Sequence, residues 1–298
     1  MKDWNDDRPV AAKKSFSSAD GLERQLSLPA LVQALETLDD HYSWLNHFRS
    51  EHPGFEFPRF KDIPWTEFKT GLADCKLALI TSAGVFVKGQ KPFSVAGGFL
   101  PEHLLEQKFK ELGDCTHRII PSAIDSQDLR VAHSHLDSLR VERDINCVFP
   151  IDRVRELAEE NYVAESASNH FSLMGHIPDF KDLQAKTIPE IIQRLKQDNV
   201  TAVLISPGDC LSHQTDAMLQ REIEKQGIAT VSVSLCSDVT EHIGVPRAVS
   251  VRFPFGHTFG PTADDIMQMR ILKDALQVLE TATSPGKVVP LPYQWVDE

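Results

Sequence analysis

No stretch of the sequence reaches the roughly 18 consecutive apolar residues of a membrane span, and the opening MKDWNDDRPVAAKKSF has no apolar core of signal-peptide length. A cytoplasmic protein that does not engage membranes is therefore expected. Basic charge is also scarce: 31 Lys and Arg against 43 Asp and Glu leave a formal charge of −12. Nucleic acid is bound chiefly through clustered Lys and Arg, so it is not an expected partner, whereas small molecules and proteins are. Neither GxGxxG nor GxxxxGK[ST] occurs, so no glycine-rich cradle for a dinucleotide or nucleotide phosphate is present. There is no CxxC pair, which removes support for a zinc ribbon or finger. Five widely spaced cysteines, at 75, 115, 147, 210 and 236, suit free thiols better than a disulfide framework.

What remains is an ordinary globular composition, 41% hydrophobic and 25% charged, in 298 residues, enough for one large domain or two interleaved lobes. Residues 1–26 are polar and without periodicity and read as a mobile arm, leaving 27–298 as the folded part. A helix is expected from Ser27 and Pro29 onward, with Leu31, Leu35, Leu38, Tyr42 and Leu45 on one face. Pro53, Pro58 and Pro64 then forbid continuous helix between His52 and Trp65, so that stretch reads as an extended crossing segment.

From Lys76 onward, short apolar runs end in small or polar loops and read as strands: 77–81, 118–120, 129–132, 202–205, 229–235 and 248–251. Amphipathic helices lie between the later ones. One is introduced by Thr187 and Glu190 as a capping box; the last starts near Thr262 and Asp265 and presents Ile266, Met269, Leu272, Leu276 and Leu279. The alternation predicts an α/β fold, a mostly parallel sheet flanked by helices and built from Rossmann-like βαβ units. In such a sheet ligands gather at the carboxyl ends of the strands. There the sequence puts His133, His135 and Asp137 after one strand, Cys210 after another, Cys236 after a third and His257 after a fourth.

The segment TAVLISPGDCLSHQTDAMLQREIEKQGIATVSVSL reads as strand, tight turn, helix and strand, with Cys210 opening the helix. Unpaired N–H groups there favour thiolate, with Asp209 opposing and His213 in support; the competing reading is a small buried core residue. HSHLD sets two imidazoles at i and i+2 on one side of an extended segment, which suits either a metal or a metal-free polar pocket. The pocket is favoured, because no further ligands stand at recognisable spacing, and no metal is expected. His213, His133 and His135 are candidates for proton transfer. Asp137, His257, Ser212 and Gln214 are candidates for substrate binding.

The run HRIIPSAI, DLRVAHSHLD, DINCVFPIDRVRELAEE, SLMGHIPD, SPGDCLSHQTDAMLQREIE and VRFPFGHTFG, within residues 58–283, resembles the B-type subunits of the glycine, sarcosine, betaine and D-proline reductases, the D-proline type most closely. In the selenoproteins of that family the residue aligned with Cys210 is selenocysteine, which attacks a substrate whose C–N bond is reductively cleaved before thiol–disulfide exchange restores the enzyme. Two departures stand out: cysteine replaces selenocysteine, and His213 stands where the glycine type has a cysteine three residues on. The resemblance implies an oxidoreductase acting on a small, amino-acid-like substrate, with Cys236 or an external thiol, such as a thioredoxin-like protein, resolving the intermediate. It also implies a homo-oligomer or a complex with a partner reductase subunit, and no tightly bound cofactor. A cysteine-dependent hydrolase or isomerase without net redox change, and a non-catalytic binding relative, are the alternatives.

Overall fold

The computed structural model describes residues 43–94, 113–133 and 135–296. The N-terminal arm, the Ser27 cap and Leu31, Leu35, Leu38 and Tyr42 lie outside the described residues. In chain order the elements are α1 (Trp44–Glu51), β1 (Lys76–Thr81), β2 (Val85–Val87), β3 (His117–Pro121), β4 (Leu129–Val131), α2 (Ser138–Val141), α3 (Ile151–Glu159), β5 (Glu165–Ser166), β6 (Asn169–Leu173), α4 (Ile188–Gln197), β7 (Ala202–Ser206), α5 (Ser212–Glu224), β8 (Ala229–Ser234), α6 (Ser237–Ile243), β9 (Arg247–Ser250), α7 (Asp265–Thr281) and β10 (Lys287–Pro290). Among the described residues no helix is long and apolar enough to cross a membrane.

The main sheet runs β10-β9-β8-β7-β1-β6-β3, with β5 also pairing β1. Every pairing in it is parallel except β3 against β6. The expected α/β architecture is therefore present. So is the unit over residues 200–235, where β7 and β8 pair in parallel across α5. Side chains alternate along the central strands. Leu77, Leu79, Ala202 and Leu204 pack on one face with Ile151, Val154, Leu157, Ile271, Leu272 and Leu276 of α3 and α7. Ala78, Ile80, Val203 and Ile205 pack on the other with Ile191 and Leu195 of α4 and Met218, Leu219 and Ile223 of α5. The result is a sheet with helices on both faces.

From β1 the chain first fills the side holding β6 and β3, then crosses to lay β7, β8, β9 and β10 on the other. The strand order thus changes direction between β1 and β7, the place where an open parallel sheet leaves a crevice beyond its carboxyl edge.

Several sequence expectations are corrected. The 129–132 strand forms, but β4 pairs antiparallel with β2 in a separate two-stranded sheet rather than joining the main one. Thr187 makes no capping box: its backbone is already helical, continuing the Leu183–Thr187 π turn, and its hydroxyl donates to the Cys115 carbonyl. The last helix is capped by Asp264, whose side chain accepts from Met267 N, and Ile266 faces solvent instead of the core. Gln268, Ile271 and Ala275 are buried with Leu272, Leu276 and Leu279.

The crossing segment after α1 is extended, as its prolines dictate. It is tied down by two buried arginines. Arg221 of α5 lies 4.0 Å from the Phe60 ring centre, and Arg247 of β9 lies 3.6 Å from that of Trp65. Arg247 Nη1 also donates to Glu224 Oε1 at 2.7 Å, with both side chains wholly buried.

Candidate functional site

The site is built on the turn between β7 and α5. At the crevice Ser82 N donates to the Ser206 carbonyl at 2.9 Å, joining the loop after β1 to the end of β7. Helix α5 begins at Ser212, so Cys210 stands before the N-cap residue, Leu211, rather than opening the helix itself. Asp209 and Ser212 close a reciprocal box: Asp209 Oδ1 accepts from Ser212 N at 2.7 Å and from its hydroxyl at 2.6 Å, and that oxygen faces Asp209 N at 3.0 Å.

Two glycines make the close approach possible. A Cβ on Gly175 would lie 1.8 Å from Ser212 Oγ, and one on Gly208 would lie 2.9 Å from Ala83 Cα and 3.0 Å from His133 Nε2. Thr215 Oγ1 donates to Gly175 O at 2.7 Å and Gln214 Nε2 to Ile177 O at 2.9 Å. The first turns of α5 thereby hold the loop after β6 and bring His176 to Asp209.

Asp209 Oδ2 is 2.9 Å from His176 Nδ1 and 3.3 Å from His135 Nδ1, and these imidazoles stack with centroids 4.2 Å apart and planes 19° from parallel. His133 accepts the His135 amide on Nδ1 at 3.1 Å, while its buried Nε2 has no hydrogen-bond partner among the described residues. Burial works to raise the Asp209 pKa. The His176 hydrogen bond and the neighbouring imidazole charges outweigh it and hold the carboxyl well below its usual range. Burial lowers His133 to about 4 and, together with the His176 charge, His135 to about 3. The two are therefore neutral near pH 7. His133, His135 and Asp209 each offer one metal-ligating atom, all within 4.8 Å of one another.

On the other side of Cys210 lies Cys236, at the end of β8 and the start of α6. The two cysteines share one buried cluster, and burial together with the neighbouring Cys210 thiol pushes the Cys236 thiol far up. None of the five cysteines is in a disulfide. His213 ties the two cysteine turns together. Its Nδ1 contacts the carbonyls of Asp209 and Cys210 at 2.9 and 3.0 Å, and its Nε2 accepts from Leu235 N and Cys236 N at 2.9 and 3.1 Å. Nδ1 therefore carries the ring hydrogen, and burial lowers the His213 pKa, so the ring is a neutral brace. Phe48 and Phe57 pack with Cys210 and Cys236 in one apolar cluster, joined by the half-buried Trp44 and Phe255, which leaves Cys210 only 7% exposed.

The structure thus gathers His133, His135, Cys210, His213 and Cys236 around this turn. Ser212 and Gln214 are there too, with their polar atoms engaged by Asp209 and Ile177. Asp137 is occupied as the N-cap of α2, accepting from Arg140 N. His257 packs its ring on Trp295 at 5.0 Å, with Nδ1 at 3.3 Å from Gly260 O. Sequence reasoning missed the two residues that organise the cluster. In sequence Asp209 signals only a charge opposing the thiol, and His176 lies in the MGHIPD turn after β6, whose apolar run is broken.

A family profile described as glycine/sarcosine/betaine reductase selenoprotein B matches residues 45–207. The D-proline reductase subunit gamma of Acetoanaerobium sticklandii is 36% identical over 78% of this chain and 89% of its own length. The glycine reductase complex component B subunit gamma of Symbiobacterium thermophilum is 24% identical over 78% of this chain and 52% of its own length. The sarcosine reductase complex component B subunit beta of Peptoclostridium acidaminophilum is 23% identical over 78% and 51%. The chain therefore spans most of the D-proline relative and about half of the other two. No solved structure gives a significant match.

Proposed function

Because the chain belongs to the glycine/sarcosine/betaine reductase selenoprotein B family, we propose that it is the thiol-bearing subunit of a reductase complex acting on a small amino-acid-like substrate of the D-proline type. Cys210 is the nucleophile and Cys236 resolves the intermediate. The observation that carries this reading is the packing of Cys210 and Cys236, neither of them in a disulfide, into one buried cluster after the carboxyl ends of β7 and β8.

In the reaction, Cys210 sulfur bonds to the substrate carbon and the C–N bond breaks, its electron pair going to nitrogen, which takes up a proton. Cys236 sulfur then attacks Cys210 sulfur. The S–S bond forms as the S–C bond breaks, and the released carbon, next to a carbonyl-type group that stabilises its electron pair, takes a second proton. Two thiols are oxidised, one C–N bond is reduced, and an external dithiol protein returns the disulfide to thiols. His213 acts as a positioning residue here, because both ring nitrogens are committed to backbone groups of the two turns. The two protons given up by the thiols balance the two taken up by nitrogen and carbon, and solvent reaching the turn past the partly exposed His135 can relay them.

Mass spectrometry tests this on the chain together with the subunits that co-purify with it, incubated with D-proline and a dithiol. A substrate adduct on Cys210 is expected, accumulating in Cys236→Ser, and turnover should stop in Cys210→Ser and without dithiol. Full activity of Cys210→Ser, or turnover without reductant, would end the reading; the latter would favour a hydrolase or isomerase.

A further inference from the structure

A fully buried carboxylate is costly unless something balances its charge. Among the described residues Asp209 is met by imidazoles, a hydroxyl and a backbone amide, and by no lysine or arginine. We propose that His133, His135 and Asp209 form a binding site for one divalent first-row transition-metal ion, a site that goes beyond the thiol chemistry proposed above.

The distances fit. Bonds of about 2.0–2.2 Å to a tetrahedral ion put two of its ligands roughly 3.3–3.6 Å apart, and His135 Nδ1 lies 3.3 Å from Asp209 Oδ2. The third ligand atom, from His133, lies within 4.8 Å of both, so small side-chain movements close the set. His133 supplies the second, independent sign of a ligand. It is 4% exposed, its Nε2 has no partner, and that atom sits over the turn leading into Asp209, where a Cβ on Gly208 would come within 3.0 Å. The His135 amide donates to His133 Nδ1, which leaves the ring hydrogen on Nε2. Ligation at Nε2 moves that hydrogen to Nδ1, so loading also breaks the hydrogen bond from the His135 amide to His133 Nδ1.

The support around the ligands is what a metal carboxylate requires. His176 holds Asp209 Oδ2 at 2.9 Å, and Ser212 holds Oδ1 through two hydrogen bonds. The His135 side chain, 38% exposed, leaves a route from solvent. Two imidazoles and one carboxylate with open positions suit zinc, cobalt(II) or iron(II) rather than calcium or magnesium, which favour all-oxygen sets.

The test uses the full chain, reduced and stripped with a chelator, titrated with Co2+ by visible absorption and with Zn2+ by calorimetry. One ion per chain is expected, with visible d–d bands and no thiolate charge-transfer band, unchanged in the Cys210→Ser/Cys236→Ser double variant. His135→Ala and Asp209→Asn should each weaken binding by about 100-fold or more. If Asp209→Asn fails to fold, His135→Ala carries the test, since its partly exposed side chain can be truncated without opening the core; thermal melts verify the fold. Less than one ion bound, unchanged affinity in His135→Ala, or a charge-transfer band lost with the two cysteines would overturn the proposal. No substrate enters the titration, so its failure is separate from failure of the reductase reading.

Discussion

Glu224→Gln is the substitution whose cost the structure specifies best. Glu224 ends α5, the helix that Cys210 precedes, and its Oε1 accepts from Arg247 Nη1 and Thr230 N, each at 2.7 Å, and from Thr230 Oγ1 at 2.8 Å. Oε2 accepts from Thr66 N in the crossing segment. Glutamine preserves the shape but removes the charge, leaving a wholly buried guanidinium without a counter-ion and turning an amide NH2 toward the Thr66 N–H. Breaking one side of a buried pair costs about 3–5 kcal/mol, and the unpaired donor is part of that sum rather than an addition to it. With a urea dependence near 3 kcal/mol per molar, the unfolding midpoint should drop by about 1 M or more. Equilibrium urea unfolding followed by circular dichroism measures it. The double variant Glu224→Gln/Arg247→Met should be less damaged than the two single losses added together, by roughly 1–3 kcal/mol. A loss under about 1 kcal/mol for Glu224→Gln, or strict additivity in the double variant, would refute the claim that this pair anchors α5.

Mild oxidation with diamide should link Cys210 to Cys236, which share one cluster, and leave Cys75 and Cys147, buried apart from them, as thiols; a non-reduced peptide map showing any other pairing counts against the resolving role of Cys236. Gly175→Ala should lower stability by about 1–3 kcal/mol, because its Cβ would fall 1.8 Å from Ser212 Oγ and 2.7 Å from Ser82 O; an unchanged thermal midpoint would contradict the packing. His170 is fully buried, accepts Leu79 N on Nδ1 at 3.0 Å, and is lowered by burial, with Arg155 adding to it, from 6.5 to about 3. The unfolded chain therefore takes up the proton first. Stability is complete above about pH 6.5 and is lost as pH falls toward 3, by about 1.4 kcal/mol per pH unit. Urea midpoints at about pH 6.5 and pH 5 should fall less in His170→Gln, and equal slopes in the two proteins would remove His170 as the cause.

Legibility in the sequence followed the physics of each segment. β7, β8 and β9 were readable because nearly every side chain in them is apolar or small and both sheet faces are covered. β6 was not, since His170 and Ser172 break its apolar run, and their burial depends on partners such as Leu79 N that lie far away in sequence. β4 was recognised as a strand, yet nothing local to Leu129–Val131 names Val85–Val87 as its partner. In the site, Cys210 was legible from its turn and Cys236 from its strand end. Asp209 was not legible as the organising residue, because its role depends on two imidazoles delivered by loops 74 and 33 residues away. Nothing local to Glu224 or Arg247 indicates that their side chains meet in the interior; only the fold shows both to be buried.

The central position of β1 bears on how this chain is made. Its first sheet partners, β5 and β6, follow it by about 90 residues, with Leu79 paired to His170 across 91 positions. β7, which completes its other side, follows by 125. At a synthesis rate of about 5–20 residues per second, β1 waits roughly 6–25 s after translation before both flanks can be covered. During that time Leu77, Ala78, Leu79 and Ile80, all buried in the finished fold, are open to any passing apolar surface. Slow, non-local assembly of this kind exposes a nascent chain to aggregation. The turn that carries Cys210 cannot form its contacts with the loop after β1 before β7 is in place, so the reactive half of the molecule becomes ordered only when the last third of the protein is being synthesised.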